Sequence, residues 1–586
     1  MTAGPCHRDR KRRRRSPAFW GALAAAAVAA CGSKHADAVK DAGPRDAARD
    51  VVHENPHGVC SADAGAIMPA GHVDVLTQHN DSMRTGQNRS EYALTTANVN
   101  PTTFGKLFTL PVDDLIYAQP LVVTSISVGG KMRDVLIVAT TSDSVYAFDA
   151  DDEGPPLWHV SLGPKVPSTD ANIGQASVNL PSGVGILSTP VIDRGGGYIY
   201  VSDVEYPDQK MTSKLHVLSL ATGEEEPGSP VVIAASTQGV DDAGAMATVT
   251  FDSHQESQRP GLLLLGGTVY VAFASYGDTF PFYGWVLGYR YENGSLTQTH
   301  SWISTPGGAG GGFWNSGQGL LSDGASIYGV TSNGMGGTPS GKPPSYFEAF
   351  VKLSPDLDVQ DWFVPYNYEE LNEGDIDLGA AGPLLVPGTC PLLMVGGGKQ
   401  GILYAVDTTN MGHQGTTDDM STQWWNAVPP QGSIYGGPVL WTGDGLPRLY
   451  QWATNDFLKE FVMQEDGLFD TTPAAQGPVM TVHAYEQDPA GILAVSSNGG
   501  TAGTGIVWGV KPLINPDHKT VPGTLYAFDA LTLRPLWWST QNAARDDFGN
   551  YAKFVPPTVA NGKVYMATHS NAVFVYGLLA GADGGK

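Results

Sequence analysis

The stretch SVYAFDADDEGPPLW, Ser144 to Trp158, has a near-copy in TLYAFDALTLRPLWW, Thr524 to Trp538. Both contain Tyr-Ala-Phe-Asp-Ala, and Pro-Leu-Trp follows each. Alternating apolar residues closed by an Asp turn read as a β-strand. Worn copies lie around His216, Leu287, Phe350, Tyr404 and Leu458, and a last one around Phe574. Eight copies at a long, loose period mark a repeat architecture.

Each copy is preceded by another strand-like run, such as VLIVATT (135–141), TVYVAFA (268–274) and KVYMATH (563–569). Further upstream stands a run headed by proline, at Pro120, Pro190, Pro260, Pro383, Pro438 and Pro557. Proline cannot donate to a ladder, so it belongs at a sheet edge. A fourth run carries Trp158, Trp302, Trp362, Trp425 or Trp538. The predicted fold is all-β: an eight-bladed β-propeller of four-stranded antiparallel blades. The tryptophans are expected to fill the gaps between blades. The last copy lacks a fourth run, whereas FGKLFTL (104–110) precedes the first blade with no partner. That N-terminal strand should complete the last blade and close the ring, leaving no open edge.

Composition agrees with many short strands and tight turns. The chain has 586 residues with 73 glycines, 41 prolines and only 16% charged residues. Residues 1–30 read as a signal peptide: Arg8, Arg10, Lys11 and Arg12 to Arg15 are basic, and an Ala-rich run ends in Val28-Ala29-Ala30-Cys31. This ending resembles a bacterial lipobox, which implies lipidation of Cys31. An ordinary signal peptide is the alternative. Residues 31–70 read as a flexible tether, 71–103 as a lead-in, 104–580 as the propeller and 581–586 as a disordered tail. Removing residues 1–30 takes the formal charge from −24 to −30. Such a surface repels nucleic acid and anionic lipid. The expected contact with membrane is therefore the N-terminal lipid alone, on a monomer in the bacterial cell envelope. Cys60 and Cys390 are the cysteines left over, and in an exported chain they suggest a disulfide. Two free thiols are the alternative.

The pattern VYVA…SVYAFDA…G…LW resembles the repeat of the quinoprotein alcohol dehydrogenase-like propellers, the pyrroloquinoline quinone (PQQ) repeat family. The copies at 135–158 and 505–538 carry the resemblance best, and it spans about 100–580. That family holds PQQ- and calcium-dependent dehydrogenases of alcohols or sugars, and also non-catalytic envelope scaffolds. The enzyme reading requires a base, a hard cation, a cationic side chain at the quinone and a flat aromatic clamp. Asp375 and Asp377 in NEGDIDLGAAGPLLV (372–386) loosely resemble the region of the catalytic aspartate. Arg259, Lys553, Gln119, Asn315, Gln318 and Tyr435 sit near the starts of innermost runs, and Trp314 offers an aromatic face. The adjacent-cysteine pair of many such dehydrogenases is missing, and no Glu-Asn-Asp calcium set assembles by position. His79, His254 and His569 read as structural. DADDEG (149–154) is oxygen-rich but is too short for a twelve-residue calcium loop.

Two functions therefore stand. The first is a binding or scaffold module that takes an envelope protein or a small molecule at the channel mouth. The second is a PQQ- and calcium-dependent dehydrogenase.

Overall fold

The structure is a computed structural model. It describes residues 58–59 and 72–581, except 172, 174–178, 241–243, 343, 431, 482–490 and 517–518. The expected signal peptide, Cys31, Cys60, most of the expected tether and the tail beyond 581 lie outside the described residues.

Eight four-stranded antiparallel sheets follow one another along the chain as the blades of a β-propeller. Blade 1 runs Leu121–Val128, Lys131–Ala139, Ser144–Asp149 and Trp158–Ser161 from the channel outward. The innermost strands of blades 2 to 7 are Val191–Asp193, Leu263–Leu265, Leu321–Ser322, Leu384–Val386, Val439–Trp441 and Ile492–Ser496. Blade 8 has Thr558–Ala560, Lys563–Ala567 and Ala572–Leu578, and its fourth strand is Phe104–Pro111. The closing ladder pairs Phe104 with Leu578 and Pro111 with Ala572. Phe104 is fully buried between Trp508 and Trp537, with ring centres 5.5 and 5.0 Å away.

The repeated phrase proves to be an interblade dock. In both copies the residues from Tyr to Asp end the third strand, and Asp149 and Asp529 accept turn N–H groups from Asp151 and Leu531. The next residue, Ala150 or Ala530, accepts a hydrogen bond through its carbonyl from a tyrosine of the preceding blade. Tyr565 reaches Ala150 at 3.0 Å and Tyr450 reaches Ala530 at 2.9 Å. Tyr270 of blade 3 does the same to Pro355 of blade 4 at 2.7 Å. A buried phenol needs such a partner, so these contacts fix blade-to-blade spacing as well as burying area. Trp158 serves in the same way: its indole N–H donates to Leu220 of blade 2, and its ring lies where a side chain on Gly223 would sit. In the last fourth strand the fully buried indole is Trp537 rather than the expected Trp538.

The lead-in forms a strap along the free channel edges of the innermost strands. Backbone bonds join Val75 to Val122 of blade 1 and Leu76 to Ile192 of blade 2. They continue from Ser82 to Ser322, Met83 to Leu385, Thr85 to Leu440 and Gly86 to Val495, in blades 4 to 7. Blade 3 is reached by Arg84 Nη2 to the Leu262 carbonyl, 3.0 Å away. Blade 8 is reached by Asn88 Nδ2 to the Val559 carbonyl at 3.0 Å, and Glu91 accepts from Gly562 N–H at 2.9 Å. One segment thus visits all eight blades and satisfies edge groups that a bare channel would leave to water.

Gly58–Val59, inside the expected tether, forms a two-residue strand against Thr389–Cys390, with Gly58 opposite Cys390. Cys390 is disulfide-bonded. We expect a non-reducing peptide map to join the Cys390 peptide to that of Cys60. Recovery of Cys60 as a free thiol would refute the pairing.

Candidate functional site at the channel mouth

The segments just before the innermost strands gather at one end of the channel. Their backbone leaves regular pairing there, so their side chains are free to converge. Trp314, half-buried, is the centre. The ring of Phe554 meets it edge-on at 5.0 Å and that of Tyr435 at 6.3 Å. Arg259 lies 5.6 Å from the Tyr117 ring centre and 6.0 Å from that of Phe554. It is 6% exposed, and its Nη1 donates to the Leu187 carbonyl at 3.3 Å. Its Nη2 has no hydrogen-bond partner among the described residues. Burial lowers the Arg259 pKa to about 10, with Tyr117 and Tyr551 opposing. Lys553 donates to Asn179 Oδ1 at 2.6 Å, and His569 packs on Tyr117 at 4.5 Å. Burial, followed by the charges of Lys553 and Arg259, depresses His569 to about 3, so this imidazole stays neutral.

Asp375 and Asp377 do not meet Arg259 or Lys553. They bind Lys399, whose Nζ is 2.6 Å from Asp377 Oδ2 and 3.2 Å from Asp375 Oδ2. Asp375 also accepts from Asn333 Nδ2 at 2.7 Å. Burial raises Asp377 to about 6; Lys399 opposes the rise, and Asp375 and Asp278 add to it. Lys399 is itself held well above the ordinary lysine value: burial works against the charge, but Asp377, Tyr435 and Asp375 favour it. Glu348 is fully buried behind the ion pair, and one of its oxygens accepts from Leu378 N–H at 2.5 Å.

Three expected ligand residues are structural instead. Gln119 accepts from His79 N–H of the strap at 2.9 Å and donates to Thr558 Oγ1 at 3.0 Å. Asn315 Nδ2 donates to the Val330 and Gly379 carbonyls at 3.0 and 3.1 Å. Gln318 Nε2 donates to the Pro383 carbonyl. Each amide ties adjoining segments together where the ladder has ended. Lys399, Tyr117 and Phe554 were not anticipated, and His569 was read as structural. Lys399 and His569 follow second strands, which end at the same mouth. A charged residue in the glycine run GGGKQG was a usable signal for Lys399.

The histidine expectations divide. His254 pairs with Asp252 at 2.8 Å near the surface. His79 is buried in the strap, and burial, then Arg84, lowers it to about 4. DADDEG stays a turn, with Asp149 paired to Arg133 and Asp151 to Lys563.

The architecture is that of an eight-bladed β-propeller. Two solved quinohemoprotein alcohol dehydrogenases share it. The enzyme from Comamonas testosteroni superposes with a TM-score of 0.54 at 14% identity, over 86% of this chain and 80% of that one. The ADHIIG enzyme from Pseudomonas putida HK5 gives 0.53 at 12% identity, with the same coverage. At such identities the likeness is one of fold. No protein-family model matches the sequence, and no curated protein matches it significantly.

PQQ is a flat polyanion, and half of the implied cofactor chemistry fits this mouth. The aromatic faces of Trp314, Tyr435 and Phe554 suit a planar ring, and Arg259 supplies positive charge, whereas that of Lys399 is offset by Asp377 and Asp375. The calcium half does not fit. A hard cation needs several converging oxygens, and here the Asp377 carboxylate is engaged by Lys399. Among the described residues, donor atoms of three acidic or histidine side chains converge only in the body of blade 2.

Proposed function

We propose that this chain is a binding propeller whose channel mouth takes a flat, anionic aromatic ligand of the PQQ kind. The observation that carries the reading is the unpaired Nη2 of buried Arg259 beside the Trp314–Phe554–Tyr435 group. Buried guanidinium groups ordinarily find an acceptor, and an anionic ring edge would provide one. The aromatic faces would clamp the plane, and Lys399 would offset the Asp375 and Asp377 carboxylates on the blade 5 side. Export and lipidation at Cys31 complete the proposal and rest on the sequence of residues 1–31. They would present the mouth to the envelope as a receptor or scaffold.

A second reading, the dehydrogenase, is favoured by one observation. Asp377 titrates near 6 beside a fixed cation, which suits a general base. Because the calcium ligands do not converge, no oxidation step is written for it.

Fluorescence titration of the mature protein with PQQ, with and without calcium, tests binding; dye reduction with a panel of alcohols tests turnover. No binding at saturating PQQ would sink both readings. Calcium-independent binding without turnover is the expected result. Affinity should rise on the order of tenfold as the pH falls through about 6. Above that pH the Asp377 carboxylate repels an anionic ligand; below it the neutral acid does not. Asp377→Asn should bind more tightly at pH 7 and lose the pH step, and Lys399→Met should bind more weakly at every pH.

A further inference from the structure

Blade 2 contains a polar group that no fold requirement explains. Val201, Asp203 and Glu205 on its second strand share a face with Lys214 and His216 on its third, because Val201 pairs with His216 and Asp203 with Lys214. This face turns towards blade 1 and, near the channel, carries ordinary apolar packing of Ile199 and Val201. Farther along it, Asp203 is 0% exposed, His216 2% and Glu205 4%.

Donor atoms of these three residues lie within 4.8 Å of one another. His216 Nε2 is 3.3 Å from Asp203 Oδ1 and 3.7 Å from Glu205 Oε1. On its other nitrogen, Nδ1 lies 2.9 Å from Glu225 Oε2, whose side chain is 30% exposed. A carboxylate on the far nitrogen fixes the ring and directs Nε2 inward, the arrangement that orients metal-bound histidines. The neighbouring blade adds Asp143, fully buried in the turn before its third strand. Burial, then the charges of Asp203 and Glu205, holds its carboxyl well above the ordinary value.

The second observation is independent of this clustering. Both oxygens of Asp143, both of Asp203 and Nε2 of His216 are buried without a hydrogen-bond partner among the described residues. Leaving so many acceptors unpaired in one place is costly. Lys214 Nζ, 2.6 Å from Glu205 Oε1, satisfies only Glu205. The alternative occupant is a proton: with His216 raised to about 10, burial opposing but Asp203 and Glu225 prevailing, an imidazolium could serve as the counter-ion.

We propose that Asp203, Glu205 and His216 Nε2 bind a divalent transition-metal ion on the face of blade 2 that turns towards blade 1. One imidazole nitrogen with carboxylate oxygens suits zinc or manganese better than calcium. The metal replaces the ring proton at Nε2 and ties the second strand of blade 2 to the third, so its role is to stiffen that blade, apart from the channel mouth.

The test uses the mature protein, stripped with a chelator and then titrated with Zn2+ alone by calorimetry. One equivalent per chain should bind with release of protons, and the melting temperature should rise. Asp203→Asn and His216→Gln should each weaken binding at least tenfold, and Glu225→Gln should weaken it less. Should the core variants not fold, Co2+ added to the wild-type chain gives the second measurement: visible d–d bands that Zn2+ abolishes. Heat without a stoichiometric site, binding unchanged in the variants, or a featureless cobalt spectrum would overturn the proposal in favour of the imidazolium. PQQ binding need not change in any of these experiments, so failure here leaves the mouth untouched.

Discussion

A chain that begins at Val112 is expected to yield no soluble monomer. It lacks Phe104–Pro111, the fourth strand of blade 8, and the strap before it. The third strand of that blade, Ala572–Leu578, would then present a bare edge to solvent, a template for pairing with other chains. Truncation also removes the fully buried Val75, Leu94, Val99, Phe104 and Leu110. Each such side chain is worth about 1.5–3 kcal/mol of burial, against a total stability of about 5–15 kcal/mol. The loss consumes the whole margin. Size-exclusion chromatography with circular dichroism reads the outcome. A monomeric truncated protein with an unchanged β spectrum and melting temperature would refute closure by this strand.

Arg84→Met is expected to lower stability by about 3–5 kcal/mol, since orphaned buried partners each cost about 1–3 kcal/mol. Arg84 is 0% exposed and stands at the turn of the strap. Its Nε donates to the Leu320 carbonyl at 3.0 Å and its Nη2 to the Leu262 carbonyl at 3.0 Å. Its Nη1 donates to Thr77 Oγ1 at 2.6 Å and the Gln78 carbonyl at 2.7 Å. One guanidinium therefore ties blade 3 to blade 4 and folds the strap on itself. Methionine keeps the volume but takes the donor from Leu320, Gln78 and Thr77 Oγ1, and leaves the Leu262 carbonyl only a long bond from Thr77 Oγ1 at 3.4 Å. Arg84→Lys should recover only part of the loss, because an ammonium lacks the planar fork. Urea unfolding of the three proteins decides it; equal midpoints for wild type and Arg84→Met would show that the strap is not held by this residue.

The candidate site was legible only where it lay in the pattern of the repeat. Arg259, Trp314, Tyr435 and Lys553 precede innermost strands, a place the proline-headed runs disclose. Lys399 and His569 follow second strands and Asn179 lies in an irregular segment, so the proline-headed runs do not mark them, whereas Tyr117 stands four residues before Leu121 as Arg259 does before Leu263. Asp377 is held by Lys399, because the mouth brings the end of the second strand of blade 5 beside the segment that opens the same blade. Gln119, Asn315 and Gln318 have the polar chemistry of ligands, yet each amide bonds groups of other segments: backbone carbonyls for Asn315 and Gln318, and the His79 N–H and Thr558 hydroxyl for Gln119.

The sequence by itself determined the repeat: eight blades, their strand order, the proline-headed inner strands and the closing role of residues 104–110. These follow from alternation, turn residues and a matched surplus and deficit of strands, all of them local signals. Only the tertiary structure decided what the repeat encloses. The circuit of the strap through eight blades, the tyrosine docks on Ala150 and Ala530, the Asp377–Lys399 pair and the Asp203–Glu205–His216 group depend on contacts between blades or across a sheet. Their energies come from burial and from satisfying polar groups in three dimensions, and neither leaves a period in the chain.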